Sequence, residues 1–511
     1  MAYLLELDAY TLPSGPLVTF RYSSGAGMRT QATDTPPLAH FSPRLAQPWL
    51  IRRDLFDKAT TYGGIKSAKG QVVLQNTDGA LDALLSDYAL DGREVRVWIG
   101  TEGQPFPAAF TPVGRGIVET VTVSNNQIQL GLRDRLDVLD LPLLTTVYAG
   151  NNALPAGVEG VATDIGGKQK PRLYGAAFNV TPYHVNTSRD IYQVSDQTCA
   201  VSACYDRGVL LTAGADYVDL ADMQANGPAA STYRVLSTSN GTYLRLGTVA
   251  SGTITVDAAT SETRTASLIQ QIALDAGLSA GDVVGADVAA LNTANPAPVG
   301  VWLEGTASSL SAINALAESI GASVSFDNNN QLRMGRYEAP SGASVLTLSG
   351  ARIVSLALIS TADSDKGIPP WQVKLHWGKV YTVQADLKSG GSFTTPAHAA
   401  AVAQQDLTVT VQDTAIQTAH PLAPTMEVNT LLTTVSDATT EANRRLNLYK
   451  VGRQMFQVQA RLAPAQYGLI DLGVCLTLQY PRYGLKAGML LRVAGIELNA
   501  ETGDITLRLW G

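Results

Sequence analysis

The sequence predicts a mainly β protein that also contains a small α/β domain. Short runs in which apolar and polar residues alternate, such as residues 94–99, recur along most of the chain between turns rich in Gly, Asn and Asp. Only 16% of the residues are charged and 46 are glycine, a composition that suits a β-rich protein built for assembly. Near Glu262 the apolar period changes from two to that of a helix.

Residues 62–100 are the stretch around which the N-terminal part is organised. A strand at 71–75 ends in the turn-forming run Asn76-Thr77-Asp78-Gly79, and Asp78 is predicted to cap the helix that follows. That helix has one apolar face, at spacings i, i+3, i+4 and i+7, formed by Leu81, Leu84, Leu85 and Tyr88. The stretch therefore predicts a strand, a two-turn helix and a second strand, an arrangement for packing with no sign of chemistry.

A hairpin is predicted over residues 117–132, across the turn Ser124-Asn125-Asn126. The charged triplet Arg133-Asp134-Arg135 follows it directly. Such a triplet can mark a functional site, but we interpret it as the exposed end of a strand.

The α/β domain is predicted from two amphipathic helices and a hairpin. The first helix ends at Gly277, and the second is capped near Thr306 or Ser308 and ends at Gly321. Their apolar faces are Leu268, Ile269, Ile272, Ala273 and Ala276, and Leu310, Ile313, Ala317 and Ile320. The Asp-Asn run at 327–330 lacks the glycine and distal glutamate of a calcium-binding EF-hand loop, so it is predicted to be a hairpin turn.

The C-terminal part is predicted to return to strands at 353–359, 373–377, 474–480, 489–498 and 505–510. Ser436-Asp437 is predicted to cap a helix with the apolar stripe Ala438, Ala442, Leu446 and Tyr449. Its cationic residues Arg444, Arg445 and Lys450 are predicted to face elsewhere. Residues 363–367 are predicted to connect two strands, and residues 388–395 to form a mobile loop.

Composition and motifs limit the possible functions. The net charge of −7 argues against a general affinity for nucleic-acid phosphates. Nucleophile-elbow, zincin, Walker and Rossmann motifs are absent, so neither a catalytic residue nor a cofactor or metal ligand is predicted. Three cysteines are too few for a disulfide scaffold or a four-cysteine iron–sulfur cluster. The segment MAYLLELDAY does not read as a signal peptide, and no apolar run is long enough for a membrane span.

Four stretches together resemble one family, the tail-tip or baseplate hub proteins of long-tailed bacteriophages, and they cover most of the chain. The first is residues 62–100. The second has the order K-P-x-x-Y-G, N-V-x-P, I-Y-Q-V and D-R-G-x-x-L from Lys170 to Leu211. The third is the helix, P-x-P-V-G, helix, G-A, hairpin order of the α/β domain, and the fourth is D-L-G-V-x-L-T-L-x-Y-P-R-Y-G-L-x-x-G from Asp471.

This resemblance implies two tube-like β-barrel domains, residues 1–148 and 341–511, with an inserted β module at 149–260 and the α/β domain at 261–340. The two barrels are predicted to be similar, each with one short amphipathic helix, 81–88 in the first and 438–449 in the second. Each is predicted to end in a hairpin, 117–132 and 489–510. It implies a structural virion protein, not an enzyme, that is assembled in the host cytoplasm and placed at the tail tip. Three copies would form a ring equivalent to six tube subunits, adapting a six-fold tube to three-fold tip components and gating the DNA channel. The implied partners are the tail tube or distal tail protein, other baseplate proteins, a central fibre, and a tape measure protein in the channel.

Two alternatives stay open at this stage. The runner-up is a tail protein that binds or depolymerises host polysaccharide, and a host-surface adhesin is third. In the runner-up, rings of the inserted module would stack on sugars, and the candidates are Tyr174, Tyr183, Tyr192, Tyr205 and Tyr217. Cross-strand packing is the commoner use of such tyrosines. The five histidines, His40, His184, His376, His398 and His420, are scattered along the chain, and His184 is interpreted as a structural residue.

Overall fold

The computed structural model describes residues 2–55, 69–152, 157–359, 368–385, 387, 396–499 and 504–511. Within these residues the protein is mainly β, as predicted, and several separate sheets are present. The predicted connection at 363–367 and the whole predicted loop at 388–395 lie outside the described residues, as does the beginning of the 62–100 stretch.

The N-terminal part is a run of antiparallel strands with two short helices. Its strands are β1 (Ala2–Thr11), β2 (Leu17–Ser23), β3 (Met28–Arg29), β4 (His40–Phe41), β5 (Leu45–Asp54), β6 (Lys69–Gln75), β7 (Tyr88–Ala89), β8 (Glu94–Gly100), β9 (Thr111–Val123) and β10 (Gln127–Arg133), and its helices are α1 (Asp82–Ser86) and α2 (Leu136–Leu139). The alternation along β8 is confirmed, since Val95, Val97 and Ile99 are buried. The hairpin across residues 124–126 is confirmed as β9–β10.

Two predictions about α1 were wrong. The helix covers little more than one turn, and Tyr88 belongs to the short strand β7, which pairs with β1. Asp78 does not cap the helix; its carboxylate receives two hydrogen bonds from Arg44, at 2.8 and 2.7 Å. The Leu81 N–H donates instead to the side chain of Asn76. The Asp78 carboxylate, which the local sequence assigned to the cap, therefore binds the distant Arg44 instead.

Two five-stranded sheets follow, with the orders β15-β14-β19-β11-β20 and β12-β13-β18-β17-β16. Their elements are β11 (Arg172–Val180), β12 (Tyr183–Asn186), β13 (Ile191–Ser195), β14 (Ala200–Asp206), β15 (Val209–Leu210), β16 (Thr212–Ala213), α3 (Leu220–Ala225), β17 (Thr232–Thr238), β18 (Gly241–Leu246), β19 (Ile254–Ala259) and β20 (Gly300–Leu303). At the β11–β20 pairing Gly175 lies opposite Gly300. A Cβ atom on Gly300 would meet the backbone of Ala176 at 2.1 Å, so this crossing requires glycine.

The helical segment contains three helices and a hairpin. They are α4 (Thr265–Asp275), α5 (Gly285–Ala294), α6 (Ser309–Ser319), β21 (Ala322–Phe326) and β22 (Leu332–Arg336). The first and last helices were predicted, and the Ser308 hydroxyl caps α6 by accepting a hydrogen bond from the Ser311 N–H. Sequence analysis missed α5, in which only Val288, Leu291 and Asn292 are buried. Its small residues leave too weak an apolar period to detect.

The C-terminal part contains β23 (Thr347–Ser349), β24 (Ile353–Ile359), β25 (Gln372–Trp377), α7 (Pro396–Val402), β26 (Leu407–Gln412), α8 (Thr414–Ala419), β27 (Thr425–Asn429), α9 (Val435–Tyr449), β28 (Met455–Arg461), α10 (Pro464–Tyr467), β29 (Cys475–Gln479), β30 (Met489–Asn499) and β31 (Asp504–Trp510). The predicted apolar stripe of α9 is buried, as expected. Its cap is Thr434 and not Ser436-Asp437, and Arg445 is fully buried and not on an outward face. Arg445 is held inside by Glu441, one helical turn earlier.

The N- and C-terminal parts join in a single sheet of fourteen strands. Its main path has the order β2-β1-β8-β9-β10-β6-β5-β30-β31-β28-β24, and β7, β23 and β29 pair beside it. One hydrophobic core extends across both parts. The described strands do not close into a barrel, which differs from the expectation of two closed domains. Pairing of β5 with β30 continues the first set of strands into the second.

A unit of five strands and a short helix occurs twice within this sheet. In the first copy the order is β8-β9-β10-β6-β5, and in the second it is β29-β30-β31-β28-β24. The matching strands follow one another in the same chain order, and each copy has a short helix after its second strand, α1 or α10. The prediction that α9 is the counterpart of α1 is wrong, because α9 precedes β28 and α10 follows it. The predicted equivalence of the two terminal hairpins, β9–β10 and β30–β31, holds.

The two units also agree in local detail. The Gly92 N–H donates to the Val118 carbonyl at 2.9 Å, and the Gly473 N–H donates to the Val493 carbonyl at 2.8 Å. Both glycines have a positive φ. In both units a β-bulge follows the valine directly, so that Thr120 of β9 corresponds to Gly495 of β30. This correspondence relates the two units residue by residue.

Candidate assembly interface

The junction between the two units is an antiparallel pairing of β5 with β30. Five residue pairs form it, from Asp54 opposite Gly495 to Leu50 opposite Asn499. A Cβ atom on Gly495 would lie 2.3 Å from a carboxylate oxygen of Asp54 and 2.9 Å from Nε of Arg508, so a larger residue there would push these two side chains aside. The aliphatic side chains of Ile496 and Leu498 are only 7% and 4% exposed.

Charged groups hold this junction in register. The Arg53 guanidinium lies 3.0 Å from the Asp471 carboxylate and donates to the Phe326 carbonyl and to Oδ1 of Asn328, at 3.0 and 2.7 Å. Asp54 forms ion pairs with Arg508 on β31 and, at 3.0 Å, with Arg52. Hydrogen-bonded guanidinium–carboxylate pairs are directional. The turn at 327–330 was predicted as a simple hairpin turn, and it also binds Arg53 of this junction.

Among the strands that the structure describes, the sheet ends in an open apolar edge at β24. This strand pairs with β28 on one side and is the last strand of the main path. Leu358 lies opposite Phe456, which is fully buried, yet Leu358 is itself 45% exposed. An exposed apolar strand edge is a template for pairing with another chain. The edge of β24 is therefore a candidate contact between protein chains.

A second open edge lies on β9. Its N-terminal part pairs with β8, but beyond Val118 the β8 side of the strand has no partner strand among the described residues. Val121 and Val123 lie opposite Leu130 and Ile128, which are fully buried, yet they are 36% and 49% exposed. The core face of β9 is therefore left uncovered at this end.

Residues that sequence analysis weighed for chemistry have structural roles. Asp134 accepts a hydrogen bond from the Leu136 N–H, and Arg135 pairs with Asp282 at 2.6 Å. The ring of His184 stacks on that of Tyr192 with centroids 4.2 Å apart, and burial lowers the pKa of this histidine. In the described part of the chain, no three His, Cys, Asp or Glu side chains are close enough to share a metal ion.

The tyrosines considered for sugar stacking are mostly packed inside the inserted module. Four of the five are buried, and Tyr183 is half-buried. Tyr174 donates its hydroxyl hydrogen bond to Asp275 at 2.6 Å, and Tyr217 donates to the Asn226 carbonyl at 2.8 Å. Such rings do not offer the open face that stacking on a sugar requires.

His376 lies between two carboxylates. Its Nδ1 lies 2.6 Å from Asp406 and its Nε2 lies 2.9 Å from Glu427, so it links β25 to its two neighbours. The hydrogen bond with Asp406 raises its pKa, burial opposes the shift, and the hydrogen bond with Glu427 adds to it. The protonated ring therefore strengthens the sheet β26-β25-β27.

This arrangement predicts a pH-dependent stability. Because the folded-state pKa of His376 is raised, its stabilising contribution is fully present below the ordinary histidine pKa of about 6.5 and is lost as pH rises through the folded-state value. His376→Gln should thus lower the melting temperature more at pH 6 than at pH 9. Exposed His420 supplies the control, His420→Gln. A His376→Gln effect that stays constant or grows with pH would contradict the assignment.

Solved structures that match this chain include two tail proteins. A tail protein from Neisseria meningitidis MC58 matches with a TM-score of 0.43 at 10% identity, covering 100% of this chain and 96% of that one. The 43 kDa tail protein of prophage MuSo2 from Shewanella oneidensis matches with a TM-score of 0.44 at 11% identity, covering 100% and 98%.

A chain in the virion of a native gene transfer agent particle matches with a TM-score of 0.42 at 13% identity, covering 68% of this chain and 85% of that one. No protein-family model and no curated protein matches. In the described part of the chain, no helix combines the length and the apolar character that a bilayer crossing requires.

Proposed function

We propose that this protein is a structural component of a phage tail tip, a hub of which three copies form a ring. The observation that carries the proposal is the doubled strand unit, whose two copies join edge to edge through β5 and β30. Three chains of this kind present six similar units around an axis. The resemblance of four sequence stretches to tail-tip hub proteins supports the same role.

A ring of this kind adapts two symmetries. Six similar units match the subunits of a six-fold tail tube on one face, while three identical chains match three-fold tip components on the other. In this proposal the two five-stranded sheets and the helical segment lie outside the ring, and the ring gates the DNA channel. Tail tube or distal tail protein, baseplate proteins, a central fibre and a tape measure protein are the proposed neighbours, and the role is not enzymatic.

The mass of the assembled protein tests this proposal. Native mass spectrometry and light scattering of the full chain are expected to give three times the chain mass of 54.0 kDa at high concentration. Images of the same sample are expected to show a ring with three-fold symmetry. A stable two-fold dimer, or a monomer over a wide concentration range, would exclude the ring. Release of reducing ends from host surface polymer by the purified protein would instead favour the polysaccharide-acting alternative.

A further inference from the structure

We propose that the end of β24, Leu358 and Ile359, pairs with Val123 and Thr122 at the end of β9 in the neighbouring copy, in the register that β5 adopts on β30. The inference rests on the proposed function and assigns the contact residues of the ring. The interface would be an antiparallel strand pairing between two different surfaces of identical chains.

The two units are equivalent at the edges that would meet. Matching pairs along β6 and β28 place β24 at the position of β5: Leu45 lies opposite Leu74 and Ile353 opposite Ala460, while Ile51 lies opposite Gly70 and Leu358 opposite Phe456. The bulges place residues 119–123 at the position of residues 494–498. Within the chain, β5 is the equivalent of β24, and it already pairs with the part of β30 that is equivalent to this part of β9.

The exposure of apolar side chains differs between the two positions. Ile496 and Leu498, which β5 covers, are 7% and 4% exposed, while their counterparts Val121 and Val123 are 36% and 49% exposed. The proposed register would place Leu358 directly opposite Val123, so that these two exposed apolar side chains would cover each other.

The internal junction also predicts the register of the contact between chains. The Leu55 N–H donates to the Ala494 carbonyl at 2.8 Å. Hydrogen-bonded and non-hydrogen-bonded pairs alternate along an antiparallel ladder, so Arg52 opposite Glu497 is a non-hydrogen-bonded pair. The same register in the contact between chains puts Leu358 opposite Val123 and Ile359 opposite Thr122. The pair of Ile359 and Thr122 is again non-hydrogen-bonded.

A contact of this kind is compatible with a closed ring of chains. It joins two different surfaces, so each chain offers one β24 edge and one β9 edge, and a head-to-tail interface forms a ring when its rotation closes. The contact between chains would repeat the contact within the chain. Junctions of both kinds would then alternate around the ring.

Paired cysteines test the register directly. In Ile359→Cys/Thr122→Cys the two thiols of neighbouring copies would lie on one face, with Cα atoms about 4.5 Å apart as in non-hydrogen-bonded pairs, within disulfide range. Oxidation with diamide should give covalent dimers and trimers on a denaturing gel, ending at the trimer. The control Ile359→Cys/Val123→Cys is one residue out of register and places its thiols on opposite faces. The native cysteines are buried and free.

The outcomes separate this inference from the proposed function. Strong cross-linking of the matched pair, at least tenfold above the control, and hetero-dimers on mixing the two single-cysteine variants would support it. A trimer by mass that cross-links no better than the control would overturn the register and leave the ring standing. A chain that stays monomeric at every concentration would overturn both.

Discussion

Glu441→Ala is expected to lower the free energy of unfolding by about 3–5 kcal/mol, the usual cost of removing one partner from a buried ion pair. Glu441 is buried in α9 and accepts hydrogen bonds from three guanidinium groups. Arg444 and Arg445 each donate at 2.7 Å, and Arg336 of β22 completes the set. The variant would leave the fully buried Arg445 without this carboxylate.

The cluster ties α9 to the helical segment, so the loss should spread beyond α9. Arg445 donates to the Glu318 carbonyl at the end of α6, and Arg444 donates to the Tyr337 carbonyl at 2.7 Å. Urea unfolding followed by circular dichroism measures the change. The matched control is Glu338→Ala, because Glu338 lies 3.4 Å from Arg444 but is exposed. Its loss should stay within about 1 kcal/mol, and equal losses in both variants would contradict the assignment.

Acid titration gives an independent measurement of the same group. Burial raises the pKa of Glu441, but the hydrogen bond from Arg444 and the charges of the arginines outweigh it and lower the pKa to about 2. A depressed folded-state pKa contributes stability above the ordinary glutamate pKa of about 4.3, and that contribution is lost as pH falls toward 2. The difference in stability between wild type and Glu441→Gln should therefore shrink as pH falls through this range.

Deletion of residues 504–511 is expected to abolish both the folded sheet and the trimer. These residues include β31, which lies between β30 and β28 in the middle of the second unit. Four buried apolar side chains would be lost, Ile505, Leu507, Leu509 and Trp510. At about 1.5–3 kcal/mol each, their burial approaches the whole stability of a typical protein, about 5–15 kcal/mol.

A graded variant separates loss of the strand from loss of packing. Leu507→Ala keeps β31 and should cost about 2–5 kcal/mol, leaving a trimer that melts at a lower temperature. Circular dichroism and light scattering on both variants measure fold and mass together. A truncated chain that still forms a folded trimer would show that β31 is dispensable and that the ring rests on other contacts.

Local sequence patterns predicted the helices and strands that depend on residues close together in the chain. Alternation along β8 and across the β9–β10 and β30–β31 hairpins, and the apolar stripes of α4, α6 and α9, depend on residues a few positions apart, where sequence records the period directly. Helix α5 escaped because small residues blur that period. The caps were less predictable. The Asp78 carboxylate binds Arg44, which lies far away in the chain, and the hydroxyl of Thr434 caps α9 in place of Ser436.

The tertiary structure decided what depends on residues far apart in the chain. Sequence cannot show that Arg445 is buried, because its guanidinium also donates to the Glu318 carbonyl of α6, and Arg336 of β22 joins Glu441 across about a hundred intervening residues. A buried charge is tolerated when it is paired. Two similar terminal units were predicted, but the wrong helix was assigned to the second, because only the pairing of β28 shows that α10 takes the position of α1. The open edges of β9 and β24 emerge from strand pairing alone, because a strand has an edge only once its neighbours are known.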